Sequence, residues 1–286
     1  MGEVMNKIDI DDICDNISYL FYERDVSKLY MLDDKRILKL FNDDFLTSMV
    51  NSGFDIENKV LNFNRYVNNG IITPSTAVYF DKKFVGYVMP FFNGVSVYDA
   101  YDSGYFNNSL CKYALFFSKL ENIILRNNKV VFTDLLSEGN VMVNANDVIK
   151  IIDFDDLQIN NYRTPTMSSG LGKMGMYNNT KYMDGLLYTK QLDIKSLIYL
   201  YFYLVFNVDL SVVDNEDAYC YKLLYLNKVF SDIDLDDDVL IDKVLRLYDD
   251  DVTNFYLGDT LFKLSEKYRL ADFNYDGTNI KKLVRR

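Results

Sequence analysis

The stretch that decides the fold is Phe132–Asp155, FTDLLSEGNVMVNANDVIKIIDFD. Asp134 stands near its start, Asn140 follows, and two apolar β-branched runs, NVMV and VIKII, flank the polar turn NAND. Short apolar runs around an Asn/Asp turn read as a hairpin of two buried strands. The second strand ends at Asp153. A hairpin returns the chain to where it began, so Asp134, Asn140 and Asp153 can face one cleft. Hard oxygen donors placed this way suit Mg²⁺ and a nucleotide phosphate, because the ion keeps positions for water and substrate oxygens. A surface hairpin also carries acids and amides in its turns, so the surrounding chain has to decide between the two.

On the N-terminal side, residues 17–41 hold apolar runs around two polar breaks. DDKR separates KLYML from ILKLF, which reads as a hairpin with Lys39 in its last strand. FDIENKVLNFNRYVNN then places Phe54, Val60, Leu61, Phe63 and Val67 near helical spacing, with Glu57 in the first turns. Two further strands are expected in IITPSTAVYF and FVGYVMPFFNG, joined by the turn DKK. A small antiparallel sheet with one helix is the expected result. Residues 108–127 read as a helix with Leu110, Ala114, Phe117, Leu120 and Ile124 in register, leading directly into VVFTD. Residues 155–192 are the least periodic part of the chain and the natural place for a substrate-facing loop. LIYLYFYLVF, Leu197–Phe206, is too short for a membrane span and reads as a buried core helix.

In this order of elements the chain resembles the protein-kinase-like superfamily, whose catalytic loop runs H-R-D-x-x-x-x-N and whose metal motif is D-F-G. The resemblance extends from about Ile17 to Phe206 and implies an α+β, bilobal protein-kinase-like fold. The N-lobe, residues 1–92, would be a small antiparallel sheet with one helix; the mainly helical C-lobe would occupy residues 93–286. By the same resemblance Lys39 holds the nucleotide phosphates and Glu57 pairs with Lys39. GYVMPFFNGVSVYD corresponds to the hinge, with Met89 at the back of the adenine pocket and the backbone of Pro90, Phe91 and Phe92 at the adenine edge. Asp134 becomes the catalytic acid–base residue, Asn140 and Asp153 the Mg²⁺ ligands, and Asp193 a brace beneath the catalytic loop. ATP and Mg are the implied cofactors.

Four departures stand out. The Gly-rich loop is absent, and Tyr22, Arg24 and Ser27 occupy its glycine positions, so charge from Arg24 or Lys28 would replace close backbone approach to phosphate. Phe132 and Thr133 replace His-Arg. Asp134 to Asn140 is one residue longer than the pattern. The third place of D-F-G is Asp155, as in the aminoglycoside- and choline-kinase branch. Three functions follow: a divergent bacterial- or phage-type Ser/Thr protein kinase, a small-molecule kinase, favoured by IDFDD and by Leu136 where Ser/Thr kinases place Lys, or a nucleotide-binding pseudokinase scaffold.

Composition narrows the field further. The 286 residues include 24 Tyr and 20 Phe and carry a net charge of −11. That balance argues against nucleic acid or anionic membrane as a partner; the resemblance implies a nucleotide and a protein or small-molecule hydroxyl acceptor. With no histidine in the chain, Ser-His-Asp and Cys-His chemistry is excluded. Cys14, Cys111 and Cys220 are isolated and read as buried small hydrophobes in a reducing compartment. The polar opening MGEVMNKIDIDD lacks the apolar stretch of a signal peptide, so a cytoplasmic protein is expected. GLGKMG, Gly170–Gly175, follows no strand and is not read as a dinucleotide fingerprint. SDIDLDDDVLIDK, Ser231–Lys243, lacks the Gly and Glu an EF-hand loop requires.

Overall fold

The computed structural model describes residues 5–206, apart from 68, 107–108, 138, 165–182 and 185. GLGKMG, the Ser231–Lys243 stretch, Cys220 and the remainder of the proposed C-lobe to Arg286 lie outside these residues. The described fold is mixed, with helices around a mostly antiparallel six-stranded sheet.

The strands of that sheet are β1 (Asn6–Asp9), β2 (Tyr19–Glu23), β3 (Ser27–Asp33), β4 (Arg36–Phe41), β5 (Thr76–Phe80) and β6 (Lys83–Pro90). Their spatial order is β1-β5-β6-β4-β3-β2, and only β1 with β5 is parallel. The expected DDKR hairpin forms, with Asp33 opposite Arg36. Asp33 closes the turn by accepting from the Lys35 amide at 2.9 Å and from Arg36 Nε at 2.7 Å. The β5–β6 turn uses Asp81 and Lys82 at φ 47° and 65°, the left-handed pair that matches strand twist in two-residue hairpins. Gly86 is where β6 presses closest on β4: a Cβ there would meet the Lys39 carbonyl oxygen at 2.0 Å. Only glycine permits that approach.

One face of the sheet is covered by the N-terminal segment, through Ile8, Ile10, Ile13 and Ile17 against Leu32, Leu38, Val78 and Val88. The other face carries α2 (Ile56–Asn62), whose Ile56, Lys59 and Val60 are buried. Asp55 caps it by accepting from the Asn58 amide at 2.9 Å. A helix not expected from the pattern, α1 (Asp43–Asn51), precedes it and buries none of its residues fully; Phe45, Leu46 and Met49 rest half-buried against the core.

Beyond β6, β7 (Val95–Ser96) leads into α3 (Val97–Asp102), whose first turn is capped by Ser96. The long helix α4 (Leu110–Arg126) matches the spacing of its apolar residues and leads to β8 (Val130–Val131). The hairpin expected around NAND is β9 (Val141–Val143) with β10 (Ile149–Ile151), paired Val143 to Ile149. β7 adds to its β9 edge, and Ile71 bridges its other edge at Ile151. β11 (Gln158–Ile159) pairs with β8, and β12 (Met183–Asp184) with β13 (Leu187–Tyr188). Gln158 clamps Tyr188, donating to its carbonyl at 2.8 Å and accepting from its amide at 2.7 Å.

The helix α5 (Lys190–Phe206) buries Leu192, Leu197, Leu200, Tyr201 and Leu204, as a core helix should. Among the described residues no helix is long and apolar enough to cross a membrane. A single apolar cluster runs from Met31 and Tyr87 through Phe154 to Leu120 and Leu200, so the sheet and the later helices share a core. Cys14 and Cys111 correct the sequence reading: both are exposed. Cys14 sits in a short 3-10 turn and Cys111 on the outer side of the first turn of α4, where nothing packs over a small side chain.

Candidate functional site

The site forms where the central strand β4 meets the end of the β9–β10 hairpin. Lys39 and Asp153, 114 residues apart in the chain, are joined by a 2.7 Å bond from Nζ to Oδ1. The expected convergence of these two residues is therefore present. Lys39 also donates to Asp155 Oδ1 at 2.6 Å. Burial works against its charge, but Asp153 and Asp155 outweigh that cost and raise the Lys39 pKa well above its ordinary value. For Asp153 burial opposes ionisation and Lys39 prevails, so its pKa is lowered. Asp153 adopts a left-handed backbone, φ 68° and ψ 60°, which aspartate tolerates better than most residues. The 3-10 turn Phe154–Asp156 that follows aims Asp153 and Asp155 at one ammonium.

The chain positions Lys39 from the sheet side. Lys39 faces Tyr87 across the β4–β6 ladder, and Ile37 faces Met89. Alternation puts Tyr87 and Met89 on the same sheet face as Lys39. Tyr87 is fully buried and donates its hydroxyl to Asp155 Oδ1 at 2.7 Å. Met89 is buried too. The Phe91 amide expected at the adenine edge donates instead to the Lys35 carbonyl at 2.6 Å. This continues the β4–β6 ladder one step past Pro90, so that amide is already satisfied within the sheet.

Glu57 also departs from expectation. Its carboxylate accepts from the Tyr79 hydroxyl at 2.8 Å, and the expected pair with Lys39 is replaced by the two aspartates. The cause is helical phase. Glu57 lies half-buried beside β5, whereas Lys59, two residues on, turns into the core and is 1% exposed. Lys59 Nζ donates to the Asp155 main-chain carbonyl at 2.5 Å and lies 5.6 Å from the centroid of the Phe154 ring. Desolvation lowers its pKa to about 8 against the attraction of Asp155, Asp156 and Asp153, and Lys39 adds to the lowering.

A recess beside this cluster is lined by Phe132, Asp134, Asn140, Asp153, Asp156 and Leu157, among others. Asn140 Nδ2 donates to the Asp134 carbonyl at 2.8 Å and reaches its carboxylate at 3.3 Å. The extra residue between them is accommodated by Gly139 at φ 94°. The loop is held from below: the Phe132 amide donates to Asp193 Oδ1 at 2.6 Å, and Lys190 pairs with Asp193 Oδ2 at 2.5 Å. The expected brace from α5 is thus in place. Asp193 is completely buried, and burial raises its pKa despite Lys190. Thr133 ties the loop to the other wall, donating from Oγ1 to the Asp156 carbonyl at 2.5 Å.

Arg24 lies in the turn between β2 and β3. Its Nε donates to the Tyr22 hydroxyl at 2.9 Å. That bond raises its pKa, and the charges of Asp153 and Asp156 raise it further, so the guanidinium lies within electrostatic reach of the acidic cluster. Oxygens of Asp153, Asp155 and Asp156 all lie within 4.8 Å of one another, a hard donor set of the kind Mg²⁺ takes. Of the three, Asp155 is held by Lys39 and Tyr87 away from the recess, while Asp153, which Lys39 also bonds, and Asp156 border the recess with Asn140.

Sequence reading missed Lys59, Tyr87 and Asp156. Lys59 had a signal: it shares the spacing of Ile56, Val60 and Phe63, so helical phase alone places it on the apolar face. No family model matches the chain, and no curated protein matches it.

Proposed function

We propose that this chain is an ATP- and Mg-dependent phosphotransferase of bilobal, kinase-like architecture, with residues 1–92 forming the nucleotide lobe and 93–286 the second lobe. The observation that carries the reading is the 2.7 Å contact between Lys39 and Asp153, beside a recess that also holds Asp134 and Asn140. A buried ion pair drawn from distant segments beside a recess supports a functional site, because desolvating each charge is costly.

In this reading Asp153 and Asn140, with Asp156 beside them, hold the metal. Bound Mg²⁺ supplies charge neutralisation at the phosphates. Lys39 and Arg24 add positive charge to the same groups, and Met89 backs the base. The acceptor hydroxyl, aligned by Asp134, gives its proton to that carboxylate as its oxygen bonds to the γ-phosphorus. The bond to the β–γ bridging oxygen breaks and ADP leaves. Catalysis then consists of positioning and electrostatic stabilisation. A protein Ser/Thr hydroxyl is the first acceptor to test. Asp155 in the third motif position favours a small-molecule hydroxyl as the second. The absence of a Gly-rich loop supports a nucleotide-binding scaffold as the third.

The test is a thermal-shift series with ATP or GTP, with and without Mg²⁺, on wild type and Asp153→Asn. A metal-dependent rise in Tm that disappears in the variant is expected. A flat series in wild type overturns the proposal.

A further inference from the structure

We infer that Asp155, aligned by Tyr87 and anchored through its backbone by Lys59, is the positioning residue for Lys39, a role that the resemblance assigns to Glu57. The contact itself rests on geometry alone; its consequence for nucleotide rests on the phosphotransferase reading above.

Four observations converge on it. Asp155 is 4% exposed, and its Oδ1 accepts from both Lys39 at 2.6 Å and Tyr87 at 2.7 Å. A buried carboxylate with two donors on one oxygen is fixed in direction as well as in charge. Tyr87 stands directly across the ladder from Lys39, so both donors come from one rigid sheet face. The backbone of Asp155 is held independently, because the buried Lys59 ammonium donates to its carbonyl. The Phe154 ring beside it packs edge-on against Phe63 at 4.8 Å and Tyr87 at 6.1 Å.

Meanwhile Glu57 is engaged by Tyr79 on the far side of α2. The helix therefore contributes a cation where the family pattern has an anion, and the anion is supplied by the third position of IDFD. This exchange preserves the sense of the pair that holds Lys39: the cation stays on the strand, and the anion moves from the helix to the turn after β10. It also explains why an acid at the third position is compatible with a closed, buried cluster here. The negative charge of Asp155 is compensated by Lys39, and its carbonyl accepts from Lys59, while Asp153, which Lys39 also bonds at 2.7 Å, is the one of the two acids that borders the recess.

The test reads Lys39 directly. Full-length protein is treated with a low dose of acetic anhydride, and acylation of each lysine is followed by peptide mass spectrometry. Asp155→Asn is expected to raise acylation at Lys39 about tenfold, the scale of losing one charge-assisted hydrogen bond, with exposed Lys35 and Lys82 unchanged. Tyr87→Phe, which keeps the ring, is expected to raise it less but in the same direction, and decides the matter should Asp155→Asn fail to fold by circular dichroism. Glu57→Gln is expected to leave Lys39 unchanged. Enhanced Lys39 acylation in Glu57→Gln, or none in the Asp155 and Tyr87 variants, overturns the inference.

A second arm measures ATP affinity by calorimetry with and without Mg²⁺. A positioning role weakens binding in both conditions, whereas loss only with Mg²⁺ identifies Asp155 as a metal ligand and overturns the assignment. If wild type binds no nucleotide while the acylation pattern holds, the Lys39–Asp155 assignment stands and the phosphotransferase reading falls.

Discussion

Replacing Lys59 with methionine isolates the cost of keeping one ammonium in the core. A lysine ordinarily titrates near 10.5 and Lys59 near 8. Between those values the unfolded chain holds a proton that the folded chain has released. Stability therefore rises with pH, at up to about 1.4 kcal/mol per pH unit. From pH 7 to pH 9 the Lys59 contribution grows by about 1.3 kcal/mol, nearly all of it above pH 7.5. The groups that set this value are Asp155, Asp156 and Asp153, which favour the charge, and Lys39, which opposes it with burial. Tyr87, Tyr105, Tyr113 and Tyr201 all have raised pKa values and keep protons in the folded state that the unfolded chain loses. Their effect runs the other way, grows only near pH 10, and is common to wild type and variant. Urea unfolding at pH 7, 8 and 9, followed by far-UV circular dichroism, measures the difference. Wild type is expected to gain about 1.3 kcal/mol on Lys59→Met across that range. Parallel pH curves for the two proteins would show that Lys59 does not carry a desolvated charge, and the argument for its burial would fail.

Asp134→Asn keeps shape and most hydrogen bonding but removes the proton acceptor. Phosphoryl transfer is expected to fall by roughly 10²–10⁴-fold with ATP affinity unchanged, and equal turnover of the two proteins would remove Asp134 from catalysis. Arg24→Ala is expected to raise the apparent KM for ATP several-fold with no change in Tm, since Arg24 is exposed and reaches the acidic cluster only through its charge. An unchanged KM shows that the β2–β3 turn does not reach the nucleotide. Asp193→Ala leaves the buried Phe132 amide without its acceptor and frees Lys190 to water, and is expected to cost roughly 1–3 kcal/mol in denaturant unfolding. A loss below 1 kcal/mol would mean that the loop is held by other contacts.

Periodicity and turn chemistry were enough to read the β3–β4 and β9–β10 hairpins, the β5–β6 pair, α4 and α5. Each of these elements has local signals: alternating or β-branched runs, Asp/Asn turns, and apolar residues at helical spacing. The same signals placed Lys39 on a strand and Asp153 at a strand end, whereas Asp193 was placed by the kinase resemblance. Helix α1 was not legible because its nine residues turn only Phe45, Leu46 and Met49 toward the core, a pattern too short to stand out, and bury none of them fully. The parallel strand β1 was not legible because a parallel partner lies far along the chain, at β5, and leaves no turn signature. Partnership among charges was beyond the sequence for a different reason. Glu57 and Lys59 are both ionic residues on α2; helical phase turns Lys59 inward, but the partner it meets there, the Asp155 carbonyl, depends on how the turn after β10 packs on that helix. Asp155 and Tyr87 take up Lys39 because the β4–β6 register and the turn after Asp153 bring three separated segments within hydrogen-bonding distance. Local sequence sets which side chains a strand or helix can present; a short-range, directional bond between distant ones is decided only by how those elements pack.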